Sequence, residues 1–131
     1  MKKIIVLLML LFVSIPTFAI EIYNDGNYSY QTDSVMFVNN QRELIYTLYA
    51  IPTIKDKYYK AKVSQYTTNG YTWVSSIYTL DNNGNYIHTD NTKDLIKKKI
   101  SSYSVAFISN IKNSFTNCKE EIDYLYCTPK K

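Results

Sequence analysis

The stretch Tyr58–Leu80 places an Asn-Gly pair between two runs of strand-forming residues. Both residues of such a pair tolerate positive φ, as the central positions of a type I′ turn require, and the twist of that turn matches the twist of paired strands. The flanking runs are rich in tyrosine, valine and threonine, which favour extended backbone. Asn69 and Gly70 therefore predict a β-hairpin with a two-residue turn, around which the rest of the chain is organised.

This hairpin is predicted to have one apolar face and one half-polar face. A two-residue turn pairs Tyr66 with Trp73 and Val63 with Ser76. Because side chains alternate between the two faces of a strand, this register sorts the hairpin into two sets. The set predicted to be buried is Tyr59, Ala61, Val63, Val74, Tyr78 and Leu80. The set predicted for the half-wet face is Lys60, Lys62, Ser64, Tyr66, Trp73 and Ser75.

Turn signals divide the sequence around the hairpin into further short strands. Clusters of Asn, Asp, Gly and Ser separate runs of strand formers, and such clusters mark turns. The additional strands are predicted at Tyr28–Gln31, Val35–Val38, Leu44–Tyr49 and Tyr86–Thr89. With the two strands of the hairpin, they indicate an antiparallel meander of about six strands.

After position 100 the apolar period changes from two residues to four. Tyr103, Phe107, Ile111 and Phe115 would form one stripe of a helix that packs on the apolar face of the sheet. The hydroxyl of Ser101 or Ser102 is a candidate cap for its first turn. The predicted fold class is therefore α+β, a single small domain with one long C-terminal helix.

Two segments flank this helix. Asn91–Ile100 fits either an upstream continuation of the helix or an edge strand guarded by lysines, and the helix is slightly favoured. Ile122–Tyr126 returns to a two-residue period and predicts a short closing strand.

Met1–Ala19 has the layout of a signal peptide. Two lysines precede an apolar run, and Thr17-Phe18-Ala19 fits the small-x-small rule for cleavage. The apolar run is short for a membrane span, although an uncleaved anchor is the alternative. We expect an exported mature domain at residues 20–131, in the periplasm, at the cell surface or outside the cell, with no stable membrane span after cleavage.

Charge and composition exclude several classes of function. Removing Lys2 and Lys3 from the 15 basic residues leaves 13 against 11 acidic ones, a net charge of +2, which does not favour nucleic acid as a partner. His88 is the only histidine and has no ligand partners at zinc spacing, and three glycines provide no phosphate-binding loop. We predict no enzyme, no metal and no cofactor.

Cys118 and Cys127 are the only cysteines. An even count in an exported chain predicts a disulfide bond between them, which would tie the end of the helix to the last strand. In the chain-entropy model, closing so short a loop contributes about 2–3 kcal/mol.

The order of these elements resembles the surface-adhesin protein E family of small exported bacterial proteins. The likeness covers roughly Tyr28–Cys118 and includes the strand Tyr58-Tyr59-Lys60-Ala61-Lys62-Val63 and a helix like Ser104–Asn113 that ends near Cys118. Members usually carry a cysteine in the strand where this chain has Tyr66 and Thr67. The resemblance implies binding of host matrix or serum proteins such as vitronectin and laminin, but it provides no binding residue by position.

Two functions follow as hypotheses. The first is an exported protein-binding module, such as an adhesin, that uses Tyr66, Trp73 and Tyr71 on the half-wet face. The second is a secreted or periplasmic inhibitor that plugs the cleft of a hydrolase with a loop, either Thr53–Lys57 or the hairpin tip Thr67–Thr72. An adhesin stays with the cell surface, whereas an inhibitor titrates an enzyme stoichiometrically.

Overall fold

A computed structural model describes residues 19–54, 57–69, 71–81, 83–87 and 93–130. These residues form one antiparallel sheet with two short helices packed against one of its faces. The strands are β1 (Ile20–Asn24), β2 (Tyr28–Thr32), β3 (Val35–Val38), β4 (Glu43–Pro52), β5 (Tyr58–Tyr66), β6 (Thr72–Leu80), β7 (Tyr86–Ile87), β8 (Asn117–Glu120) and β9 (Tyr124–Thr128). The helices are α1 (Lys93–Ser102) and α2 (Ser104–Ser114). Residues 1–18 of the predicted signal peptide, Gly70 of the predicted turn and His88 lie outside the described residues.

Strand β4 organises the sheet, because it is long enough to pair with three other strands. On one side it pairs with β5 over most of its length, and on the other side with β3 near its start and β2 near its end. The order across the sheet is β7-β6-β5-β4-β3-β9-β8, with β1 beside β2. The predicted meander of about six strands is therefore too simple. The prediction did not include β1 or β8. The four residues of β8 are all exposed, so no alternation of apolar residues marks this strand in the sequence.

The central hairpin is present, but its predicted register is wrong. Trp73 pairs with Ser64, and the N–H of Tyr66 donates to the carbonyl of Tyr71 at 2.9 Å, so Tyr66 and Tyr71 are the last residues that pair before the turn. The N–H of Thr67 donates instead to the carbonyl of Arg42 at 2.7 Å. Because Thr67 bonds to the β3–β4 loop, the ladder between β5 and β6 ends one pair earlier than a two-residue turn would allow.

A bulge in β6 changes which side chains face the helices. Val74 pairs with Val63 and Ser76 pairs with Lys62, so one extra residue stands in β6 between these pairs. Beyond such a bulge, the alternation of side chains shifts by one position. Ile77 therefore packs against the core, whereas Tyr78, predicted to be buried, is 42% exposed.

The C-terminal helix is two helices rather than the one that was predicted. Residues 93–102 are helical, as the slightly favoured interpretation of that segment expected, but the helix breaks at Tyr103, where φ is −94° and ψ is 6°. The hydroxyl of Ser102 donates back to the carbonyl of Lys98 at 2.8 Å. Neither this serine nor Ser101 caps α2, since its N-cap residue is Tyr103, whose side chain makes no capping hydrogen bond.

The core lies between the helices and one face of the sheet. It includes Tyr30, Leu44, Leu48, Val63, Ile96, Ile100, Phe107 and Ile111, all almost fully buried. A polar chain crosses it, in which the Tyr46 hydroxyl donates to Oε1 of Gln65 at 2.8 Å and Nε2 of Gln65 donates to Oγ1 of Thr72 at 3.0 Å. Burial raises the pKa of Tyr46 well above its ordinary value, so this hydroxyl stays a donor.

The closing strand predicted near the C-terminus is β9, which pairs with β3 on one side and β8 on the other. Cys118 of β8 and Cys127 of β9 lie opposite each other and form a disulfide bond, as the cysteine count predicted. The bond joins the segment that follows α2 to the strand that pairs with β3.

Candidate functional site

The face of the sheet opposite the helices, here called the open face, presents a row of mostly apolar side chains. Residues that pair directly in an antiparallel sheet point to the same side, so the row can be followed from strand to strand. It spans five strands, about 19 Å at the usual strand spacing. Its members, from β9 to β6, are Tyr126, Met36, Ile45, Ser64 and Trp73.

At the β6 end of this row, the three predicted binding residues form an exposed aromatic group, here called the aromatic tip. Tyr66 is 45% exposed, Tyr71 is 55% exposed and Trp73 is 62% exposed. The rings of Tyr66 and Tyr71 lie 6.2 Å apart, centroid to centroid. The predicted cross-strand pairing of Tyr66 with Trp73 is wrong, because Trp73 pairs with Ser64 and the N–H of Tyr66 donates to the carbonyl of Tyr71, but the three side chains do share the open face.

A second exposed aromatic pair on the open face escaped the sequence reasoning. The rings of Tyr78 and Tyr86 lie 5.0 Å apart and are 42% and 58% exposed. Tyr78 was expected in the core because the bulge in β6 has no sequence signal. Tyr86 of β7 pairs with Leu80 of β6. The predicted strand Tyr86–Thr89 was the only indication that Tyr86 lies beside β6.

Beside this pair is a shallow depression of about 270 Å³. Its charged lining residues are Lys60 and Lys62. Glu43, at the start of β4, also lies on this face and accepts hydrogen bonds from Ser64 and from the side chain of Asn39. The open face therefore carries two amines in a depression, next to a carboxylate that is already bonded.

On the other side of the sheet, Asp25 is the centre of a polar cluster. Its Oδ1 accepts the backbone N–H groups of Asn27 and Tyr28 at 2.9 and 2.7 Å, and its Oδ2 accepts the hydroxyls of Tyr30 and Tyr103 at 3.2 and 3.1 Å. Burial would raise the pKa of Asp25, but these four hydrogen bonds outweigh it and lower the pKa. Burial, together with the nearby carboxylate, raises the pKa of both tyrosines.

The Asp25 cluster joins elements that are distant in the chain. Lys99 of α1 reaches Oδ2 of Asp25 at 3.9 Å, and the ring of Tyr103 packs against that of Tyr23 of β1 with ring centroids 4.6 Å apart. The break between the helices places Tyr103 where its hydroxyl meets Asp25. With its side chain only 7% exposed and both oxygens occupied, Asp25 anchors the β1–β2 turn to the helices and offers no room to a ligand.

Within the described ranges, no group of three His, Cys, Asp or Glu side chains is placed to hold a metal ion. Both cysteines are consumed by the disulfide. Neither α1 nor α2 is long and apolar enough to cross a membrane. The open face, with its aromatic tip, is thus the candidate site, and its groups are suited to binding.

No protein-family model matches the chain, no curated protein matches it, and no solved structure matches it. The likeness to the surface-adhesin protein E family consequently stays a prediction from the layout of the sequence. The case for function depends on the geometry of the open face.

Proposed function

We propose that this chain is an exported bacterial protein-binding module that holds a protein partner on its open face, as a surface adhesin for host matrix or serum proteins does. The observation that carries the proposal is the aromatic tip. Tryptophan at 62% exposure beside two exposed tyrosines is costly for a free monomer, and tryptophan and tyrosine are the residues most enriched in binding hot spots.

The surroundings of the tip support this proposal. The row from Tyr126 to Trp73 is mostly apolar, and Met36 and Ile45 in its middle are partly exposed. Nine-residue strands are about 30 Å long, so the row and its neighbours cover roughly 600 Å², of the order of the ~800 Å² that each partner contributes to a standard protein interface. Exposed tryptophan and tyrosine beside apolar side chains, with charged side chains around them, are the usual composition of such an interface.

The test uses the exported chain against immobilised vitronectin, laminin and other matrix and serum proteins. We expect Trp73→Ala to weaken binding by at least about 2 kcal/mol, roughly 30-fold in Kd, while circular dichroism and melting stay close to wild type. Val105→Ala is the matched control, because Val105 is 70% exposed on α2. Equal binding by the wild type and the Trp73 variant, or no binding to any member of the panel, would contradict the proposal.

Export is the second part of the proposal and has its own measurement. We expect the mature N-terminus at Ile20, since Thr17 and Ala19 fit the cleavage rule. Mass spectrometry of the protein recovered from the producing cells reads this directly, and fractionation places it at the surface or in the periplasm. Met1 retained on the exported protein would show that the leader is not removed.

An inhibitor is the alternative function, and one observation favours it. Ile54 is 73% exposed in the loop after β4. The preceding residue is anchored, because the N–H of Thr53 donates to the carbonyl of Asn27 at 2.9 Å and its hydroxyl donates to the carbonyl of Gly26 at 2.7 Å. A protruding isoleucine on a fixed base suits a cleft. Stoichiometric titration of a hydrolase that Ile54→Asp abolishes would establish this function instead.

A further inference from the structure

We propose that the partner of the open face presents an acidic segment, whose carboxylates dock between Lys60 and Lys62 while apolar side chains beside it cover the aromatic tip. This inference rests on the proposed function and adds the chemistry of the partner. It follows from the position of the two amines, from the absence of a carboxylate partner for either of them among the described residues, and from the order of groups along β5 and β6.

The two lysines are held side by side on the open face. They are two residues apart on β5, so their Cα atoms are separated by about 6.6 Å along the strand. Lys60 pairs with Tyr78 and Lys62 pairs with Ser76, so the side chains of Tyr78 and Ser76 lie on the same face beside the two lysines. The depression between them is lined by Thr47, Lys60, Ala61, Lys62, Ser76, Tyr78 and Tyr86.

Neither amine has a carboxylate partner among the residues that the structure describes. By contrast, Lys99 reaches Asp25 at 3.9 Å and Lys119 reaches Glu121 at 3.7 Å. Two like charges on one face of a strand repel each other, and a carboxylate bound between the two amines would replace that repulsion with two attractions. Asp33 lies near Lys60, because burial first and then the negative charge of Asp33 raise the pKa of Tyr49, which pairs with Lys60. No ion pair joins Asp33 to the amine of Lys60.

The lining suits a carboxylate. The hydroxyls of Thr47 and Ser76 can donate hydrogen bonds to an anion held by the lysines, and bonds to charged groups are stronger than neutral ones. The tilted rings of Tyr78 and Tyr86 pack against each other and form an apolar wall beside it. Such a site matches an Asp or Glu side chain, which has a charged end on a short hydrocarbon stem.

The order of groups beyond the depression favours a protein over an anionic polysaccharide. From Lys62 towards the tip of the hairpin, the described residues of β5 and β6 on the open face are Ser64, Tyr66 and Trp73, and none of these is basic. A polysaccharide with a charge on every unit would leave most of its charges on aromatic rings. A peptide segment can instead place acidic residues at the lysines and apolar residues about two to four positions further along, where they meet Trp73.

The test compares two synthetic peptides with the exported chain. One has three glutamates followed by Leu-Phe-Leu, and the other has glutamines in place of the glutamates. By calorimetry at low salt, we expect the glutamate peptide to bind at least about ten-fold more tightly, with a difference that shrinks as salt screens the charges. The amide shifts that it causes in ¹⁵N spectra should concentrate in β5 and β6.

Two double variants separate the site from total charge. Lys60→Ala with Lys62→Ala should reduce the affinity for the glutamate peptide to that for the glutamine peptide. Lys97→Ala with Lys98→Ala removes the same charge from exposed positions of α1 and should leave the affinity unchanged. Equal losses in both double variants would overturn the proposal, because binding would then follow net charge alone.

Three other outcomes separate the acidic partner from the proposed function. Equal affinity for the two peptides, with sensitivity to Trp73→Ala, would overturn the acidic partner while leaving the proposed function in place. Loss of glutamate-peptide binding in the Lys60 and Lys62 variant without any effect of Trp73→Ala would keep the acidic site and contradict the proposed function. Tighter binding of dextran sulfate than of the glutamate peptide, through the same two lysines, would overturn the assignment to a protein.

Discussion

The two faces of the sheet are formed by the same strands and the same residue types, but one face is buried under the helices and the other is exposed. Val74 and Trp73 are neighbours in β6, yet Val74 is 9% exposed beneath the helices and Trp73 is 62% exposed on the open face. Tyrosine shows the same division, since Tyr59 is 2% exposed and Tyr66, at the other end of β5, is 45% exposed. The strand alternates its side chains, and the helices decide which set is covered.

Hydrogen bonds hold the tyrosines of the covered face in place. On the covered face the hydroxyl of Tyr46 bonds to Gln65 and that of Tyr30 bonds to Asp25. On the open face the rings of Tyr66 and Tyr71 lie against each other in solvent. The covered tyrosines specify the packing, whereas the exposed ones are free to contact a partner.

Removing a core side chain from the covered face should cost more stability than any other change considered. Phe107 is fully buried and packs against the rings of Tyr23 and Tyr30. Phe107→Ala should lower the free energy of unfolding by about 3–5 kcal/mol, because it leaves a cavity. Trp73→Ala should change it by less than about 1 kcal/mol, as for an exposed side chain. Urea unfolding of both variants gives the comparison, and similar losses would mean that the open face is also core.

The disulfide comes next. Cys127→Ser should lower the free energy of unfolding by about 2–3 kcal/mol and the Tm by several degrees. Cys118→Ser removes the same bond at an exposed position and is the control for polarity, because Cys127 itself is fully buried. Two free thiols in non-reducing peptide maps of the exported protein would refute the bond.

A smaller effect is expected from the polar chain in the core. Gln65→Ala leaves the buried hydroxyl of Tyr46 without an acceptor and should cost about 1–3 kcal/mol of unfolding free energy. Ser75→Ala, on the exposed side of β6, should cost less than about 0.5 kcal/mol. Thermal melts of the two variants provide the measurement, and a Gln65 variant as stable as the wild type would show that the hydroxyl finds another partner.

The smallest effect is a pH dependence centred on Asp25. Its pKa is lower in the folded chain than its ordinary value, so its contribution to stability is complete above about pH 5 and is lost as pH falls through the folded pKa. Asp25→Asn should cost about 1 kcal/mol at neutral pH and flatten the acid side of the stability profile. Denaturant melts between pH 2 and pH 7 test both points. A variant whose profile parallels that of the wild type would assign the acid loss to other carboxylates.

The sequence alone predicted the features that depend on local period. Alternation along β5 assigned Tyr59, Ala61 and Val63 to the core and left Tyr66 exposed, as the structure has them. The four-residue period after position 100 located the buried stripe of Phe107 and Ile111, and the cysteine count predicted the disulfide. Each of these features requires only that side chains repeat at the period of their own element.

Tertiary contacts decided what local period cannot express. The hydrogen bond from Thr67 to the carbonyl of Arg42 set the hairpin register, although 25 residues separate the two in the chain. The bulge in β6 turned Tyr78 outwards, and the hydroxyl of Tyr103 bonds to Asp25, 78 residues away, where the predicted single helix breaks. The register, the bulge and the helix break depend on which hydrogen-bond donor meets which acceptor from a distant part of the chain. Buried polar groups must find partners, and a one-residue shift exchanges the two faces of a strand.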